Sequence, residues 1–428
     1  MGKDNEDTAM EDMVMKTLSL GRIYSEEDME RQLQRYGRTA VEFKKLFGET
    51  PQYFFSAPGR TEVGGNHTDH NLGCVLAAGV SLDIIAAVIP TDDGYITVKS
   101  EGFPTDVVDI CDTLPREDEK NTSSALIRGM ADGFKNNGHK LGGFKAYMTS
   151  EVLQGSGLSS SAAYEVIIGT ILNGLYNDGE IDDVEIAKLA QYAENVHFGK
   201  PSGLMDQMAS SVGGLITIDF KDKEHPLIKS VKYDFAKSGH KLCIIDTKGS
   251  HADLTPEYAA IPPEMKSVAE YFGKTVLREI TKNDVMKNIV TLREKCGDRA
   301  VLRALHFFDE NDRVAKQAEA LESREFGEFL RFINESGNSS LAYLQNIFAA
   351  VNVREQGLTV ALYLAKQILG DEGACRVHGG GFAGTIQAFV PENKLEEFKN
   401  GMDRVFGTGA CHVLTIRNCG GTKVLFEV

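Results

Sequence analysis

Apolar residues change their rhythm along this chain, and the changes mark out its elements. SEEDMERQLQRYGRTAVEFKKLF (25–47) spaces them three and four apart behind Ser25-x-x-Asp28, which predicts a helix with a capped start. VLAAGVSLDIIAAVIP (75–90), ITVKS (96–100) and GFKAYMTSEV (143–152) carry β-branched or alternating residues between Gly or Pro, and predict strands. After Gly155 the period lengthens through SSAAYEVIIGTILNGLY and VEIAKLAQYAENVHF, predicting two helices. LITIDF (215–220) and KLCIIDT (241–247) return to strand character, with the charged FKDKEHP as a turn. Residues 264–350 read as mostly helical, and GTIQAFVP and TKVLFEV as closing strands. The order predicts two α+β domains, residues 1–212 and 213–428, with mixed or antiparallel sheets flanked by helices.

Composition narrows the class. A chain of 428 residues exceeds what one core usually fills, and its 42% hydrophobic and 25% charged residues are a globular balance. The net charge of −16, from 46 basic against 62 acidic residues, argues against nucleic acid or an anionic membrane as a general partner. A phosphate group would have to be bound locally, by backbone N–H groups, a helix N-terminus or a metal. Seven cysteines without a CxxC pair favour neither a disulfide framework nor a zinc site. An acidic start without an apolar segment predicts no leader, and a cytoplasmic setting is expected.

Three segments carry candidate chemistry. LQGSGLSSSAAYEVIIGTIL (153–172) sets Gly155, Ser156, Gly157, Leu158, Ser159, Ser160 and Ser161 before an apolar helical run. Glycines let backbone approach an anion, the helix N-terminus favours negative charge, and hydroxyls can meet phosphate or magnesium. It is not a Walker A loop, and alone it could be a helix with serine caps. SAPGRTEVGGNHTDHNLGCVL (56–76) gathers Arg60, Asn66, His67, Asp69 and His70 on a glycine-shaped loop, which suits a ligand rich in hydroxyls as well as it suits a solvated turn. FGKPSGLMDQMASSVGGLITIDF (198–220) holds one acid, Asp206, which could be a general base or a helix cap.

The three segments together resemble the galactokinase branch of the GHMP kinases, from about Leu46 to the C-terminus. GSGLSSSAA resembles the second motif of that superfamily, with Leu153 in the approach. Gly59-Arg60, Gly65, His67-Thr68-Asp69 and Asn71 match the galactokinase signature Gly-Arg-x-Asn-x-x-Gly-Glu-His-Thr-Asp-Tyr-Asn, whereas Glu62, Asn66 and His70 depart from it. Gly-Leu-Met-Asp-Gln, ending at Gln207, resembles the element that carries the base, and CRVHGGGFAGTIQAFV (375–390) resembles the third motif, with Ala383 for a glycine.

The resemblance implies ATP-dependent phosphorylation of the anomeric hydroxyl of D-galactose. Asp206 and Arg60 would be catalytic; Asn66, His67, Asp69, Gly203 and Tyr258 would hold the sugar; residues Gly155 to Ser161 would wrap ATP; and Ser160 with Glu194 would hold Mg2+. The implied partners are a sugar and ATP, with a monomer or weak homo-oligomer expected. Asn66 stands where the family places a glutamate that contacts the C6 hydroxyl, so a kinase for a C6-altered sugar such as D-galacturonate stays open. A non-catalytic sugar sensor is a third reading, disfavoured by the intact Ser160-Ser161-Ala162 and Asp206. With no tryptophan in the chain, adenine stacking on Trp is excluded.

Overall fold

The computed structural model describes residues 20–152, 157–249, 255–349 and 351–425. Among them the first sheet has eight strands. These are β1 (Tyr53–Gly64), β2 (Cys74–Thr91), β3 (Tyr95–Ser100), β4 (Thr105–Asp109), β5 (Gly143–Ser150), β6 (Leu215–Asp219), β7 (Leu227–Ser230) and β12 (Thr422–Val424). The main path runs β12-β1-β2-β5-β3-β4, with β6 on the far end of β2 and β7 beyond it. The second sheet orders β11 (Cys411–Leu414), β8 (His240–Asp246), β10 (Thr385–Pro391) and β9 (Ala374–His378), all antiparallel.

β2 explains why its sequence is almost continuously apolar. Leu76, Ala78, Val80, Ile84, Ala86 and Val88 face the main core, and Ile85, Ala87 and Ile89 face a second core on the other side of the sheet. Strands buried on both faces lose the alternation that marks a half-solvated sheet. The second of these cores is roofed by α1 (Met29–Phe47), whose Tyr36, Ala40 and Phe43 recur at helical spacing. Beneath the sheet, the main core closes on α2 (Ser123–Asn136), α3 (Ser160–Tyr176) and α4 (Asp183–Tyr192). Alternation also splits β8: Leu242 and Ile244 join that core, while Cys243 and Ile245 pack under α9 (Gly357–Leu369) and α10 (Leu395–Phe406).

The predicted cut between residues 212 and 213 does not follow the sheets. β6 and β7 lie beyond it yet pair with the first sheet, and β12 returns from the C-terminal end to pair with β1, Phe54 opposite Val424. Strand pairing between distant segments leaves no trace in local periodicity, so the pattern could not show it. The charged turn before β7 and the helices α6 (Ile261–Tyr271), α7 (Asp298–Glu322) and α8 (Phe326–Ser339) fall where the sequence pattern places them, whereas α5 (Met205–Val212), with Asp206 in its first turn, has no periodicity to announce it.

Candidate active site

β1 is irregular where it matters: its register to β2 shifts between Pro58 and Arg60 and again between Glu62 and Gly64. Such bulges re-aim side chains. Arg60, on the regular stretch between them, is buried and grips Asp206 in bidentate fashion, Nε to Oδ1 and Nη2 to Oδ2 both at 2.7 Å. Its remaining Nη1 donates to the carbonyl of Gly157, and the Ser159 hydroxyl donates to Asp206 Oδ2. One arginine and one aspartate therefore join strand β1, the first turn of α5 and the loop entering α3. Burial raises the Asp206 carboxyl, but the charge and hydrogen bonds of Arg60 with the Ser159 hydroxyl outweigh it and hold the group below its usual value.

The glycine-serine loop leads into α3 at Ser160, with Ser159 in left-handed backbone (φ 56°). Gly155 and Ser156 lie outside the described residues. Gly157 sits against the ends of β9 and β10, where a Cβ would come within 3.0 Å of Thr385 Oγ1 and 3.1 Å of His378 Nδ1. The third glycine-rich segment thus braces the loop. Glu194 lies on a π-helical turn, Ala193–Phe198, that continues α4. It accepts hydrogen bonds from Ser161 Oγ (3.0 Å), Lys200 Nζ (2.9 Å) and Gln207 Nε2 (2.8 Å). The hydroxyl bonded to Glu194 is that of Ser161, the residue after Ser160, which is expected beside Glu194 as a second ligand of the metal. Among the described residues no three His, Cys, Asp or Glu side chains assemble as a metal site.

Around the sugar signature, His67 takes left-handed backbone (φ 58°) and its Nε2 meets the Gly380 carbonyl at 2.9 Å. Burial pushes its pKa down to about 4, so the ring is neutral and donates that bond. The Tyr258 ring lies 5.4 Å from His67 and against Gly380, where a Cβ would be 2.5 Å from the tyrosine Cε2. Gly203 is held as closely by Asp69, whose Oδ2 would be 2.1 Å from an added Cβ. The Tyr258 phenol is pushed up to about 12 by burial and by the negative charges of Asp69, Asp206 and Glu62, against Arg60. These four charged groups therefore converge on one tyrosine. His70 is exposed at the edge.

Asn66, expected on the sugar side, is hydrogen-bonded within the protein. It is fully buried, and its Nδ2 donates to Glu62 Oε1 (3.0 Å) and the Gly379 carbonyl (2.8 Å). Its Oδ1 accepts from Asn346 Nδ2 (2.8 Å) and Ser340 Oγ (3.3 Å), and its carbonyl meets His306 Nε2 (3.0 Å). The amide is spent on pinning the first motif to the third, and a sugar could reach it only by breaking those bonds. Sequence reading also missed Arg376, which donates to Glu62 Oε1 (2.5 Å) and the Val63 carbonyl (2.8 Å). Its position just before the glycine run was the available signal. Lys200 and Gln207, the partners of Glu194, flank Asp206 in the sequence segment already singled out.

An Arg–Asp pair with its arginine buried, at the mouth of a glycine-serine loop between a bulged strand and a second sheet, fits the class that the sequence match gives: residues 125–214 match the GHMP kinases N terminal domain. The mevalonate kinase of Methanococcus jannaschii shares the fold at a TM-score of 0.60 and 15% identity, over 85% of this chain and 98% of that one. Residues 41–90 match the galactokinase galactose-binding signature. Galactokinases of Streptomyces coelicolor and Glaesserella parasuis are each 30% identical, over 86% and 84% of this chain and 92% and 90% of their own lengths. The structure of Lactococcus lactis galactokinase complexed with galactose superimposes at a TM-score of 0.78, with 22% identity over 91% of this chain and 99% of that one. The chain belongs to the galactokinase family and is a sugar kinase.

Proposed function

We propose that the protein transfers the γ-phosphoryl group of ATP to the anomeric hydroxyl of D-galactose, giving α-D-galactose 1-phosphate. The observation that carries this reading is the bidentate Arg60–Asp206 pair in contact with the glycine-serine loop, because it brings a carboxylate, a cation and a phosphate cradle together. Asp206 orients the attacking hydroxyl. Held below the usual carboxylate range, it is a weak base toward a resting hydroxyl, and it takes the proton late, as the bond to phosphorus forms. Arg60 offsets charge on the transferring group. Asp69, His67 and Tyr258 line the sugar side, and Leu158 to Ser161 line the phosphate side.

Mg2+ fits the residues present. Hydroxyls at the start of α3 and the Glu194 carboxylate are hard oxygen donors that would hold the ion, and Glu194 already balances a cation, the Lys200 ammonium. Bound with ATP, the ion would neutralise phosphate charge. Asn66 gives little support to a galacturonate substrate, since its amide is not free to receive a carboxylate.

Asp206→Asn tests the mechanism better than Asp206→Ala, which would strand the buried Arg60. The expected outcome is a fall in kcat of about a hundredfold to ten-thousandfold, with galactose binding by calorimetry retained. A folded variant turning over near the wild-type rate refutes it.

A further inference from the structure

We infer that Glu62 is a specificity-determining residue, whose second carboxylate oxygen accepts a hydrogen bond from one hydroxyl of the bound sugar. This rests on the reading of the cleft as a galactose kinase site. Glu62 follows Arg60 by two positions on the regular stretch of β1, so the two residues share a face of the strand. Only 5% of it is exposed, which makes its hydrogen-bond account a strict one. Oε1 is doubly served, by Arg376 Nη2 at 2.5 Å and Asn66 Nδ2 at 3.0 Å. Among the described residues, no group bonds Oε2.

Two further observations bear on that oxygen. The charge of Glu62 is felt by both Arg60 and Tyr258, the groups that flank the proposed sugar position. Asn66, the neighbour expected to read the sugar, has no hydrogen-bonding capacity to spare. A nearly buried carboxylate with one oxygen unserved is costly, and a sugar hydroxyl supplies the missing donor. Arg376 and Asn66 act here as positioning residues. They fix the carboxylate before the ligand arrives, so little ordering remains to be done on binding. A site built this way rejects an analogue that lacks the hydroxyl, because the carboxylate oxygen is then left without a donor.

The test is a scan of kcat/KM for D-galactose and its 2-, 3-, 4- and 6-deoxy derivatives, with the full chain as wild type, Glu62→Gln and Glu62→Asp. Glutamine keeps the shape and removes the charge. Aspartate keeps Arg376 neutralised and withdraws the oxygens, so folding is protected by one route or the other. Wild type should lose about tenfold to a hundredfold on one deoxy sugar through this contact. In both variants the penalty at that one position should shrink by about tenfold while the penalties at the other positions persist, a pattern that general loosening of the fold would not give. Wild-type activity on galactose with an unaltered deoxy profile in both variants overturns this inference alone. A wild type inert toward galactose overturns the kinase reading and the inference with it.

Discussion

Asn66 and Glu62 share one carboxylate and one amide, in the reverse order to the signature they otherwise match, and they touch each other at 3.0 Å. Asn66→Glu would set a second carboxylate against the first and turn an oxygen, in place of a donor, toward the Gly379 carbonyl. Like charges at that separation in a buried place are strongly unfavourable. The single variant should lose at least about a hundredfold in kcat/KM and melt lower, whereas Glu62→Asn/Asn66→Glu should recover tenfold or more of that loss. Wild-type melting and kinetics in Asn66→Glu would refute the pairing. The signature residues themselves were legible in the sequence, because glycine, histidine and aspartate at fixed offsets survive without coordinates. That Asn66 spends its amide on the third motif was not, since its partners lie hundreds of positions away.

Helix α7 shows how a periodicity can be read correctly and still mislead. Arg303, His306, Glu310, Arg313 and Gln317 recur at three and four, the mark of a solvated helix face, yet all five are buried. They lie where the helix packs on its neighbours: Arg303 donates to the Leu344 carbonyl (3.0 Å) and Glu264 (2.9 Å), Glu310 Oε1 accepts from the Gly65 N–H (3.1 Å) and Ser336 Oγ (2.6 Å), and Oε2 accepts from Arg313. Burial raises the Glu310 carboxyl, but His306, Arg313, Arg376 and the Ser336 hydroxyl bring it down to about 2. A carboxyl lowered on folding stabilises above its unfolded value, about 4.3, and that stability is lost as pH falls toward 2. Urea midpoints should therefore drop with acid through this window, and Glu310→Gln should show a shallower drop; equal slopes would refute the assignment. The π-turn gives a second expectation at this scale. Glu194→Gln should raise the magnesium concentration for half-maximal activity by about tenfold or more, and an unchanged titration would leave Glu194 to Ser161, Lys200 and Gln207 alone.

Across the whole molecule, one buried carboxylate ties three distant segments. Asp83 on β2 accepts from Arg35 of α1 at 2.6 Å and from Arg417, just before β12, at 3.0 Å, with Tyr24 and Ser56 completing its shell. Breaking such a set leaves uncompensated buried charge, so Arg417→Met should lower unfolding free energy by about 3–5 kcal/mol in denaturant titration, and a loss below ~1 kcal/mol would show the cluster to be slack. Local pattern gave α1, α3, α4 and the helical stretch that holds α6 to α8, but not α2, α9, α10 or β1, and it could not show that β6, β7 and β12 join the first sheet, because sheet membership is settled by pairing at long range. The return of β12 to β1 also has a temporal meaning. β1, the strand bearing Arg60 and Glu62, gains β2 soon after its own synthesis, but Phe54 to Ser56 on its other edge have no strand beside them until Thr422 to Val424 are made. Until that short strand is made, the start of β1 remains an open edge, and the sheet is closed there by a segment synthesised long after it.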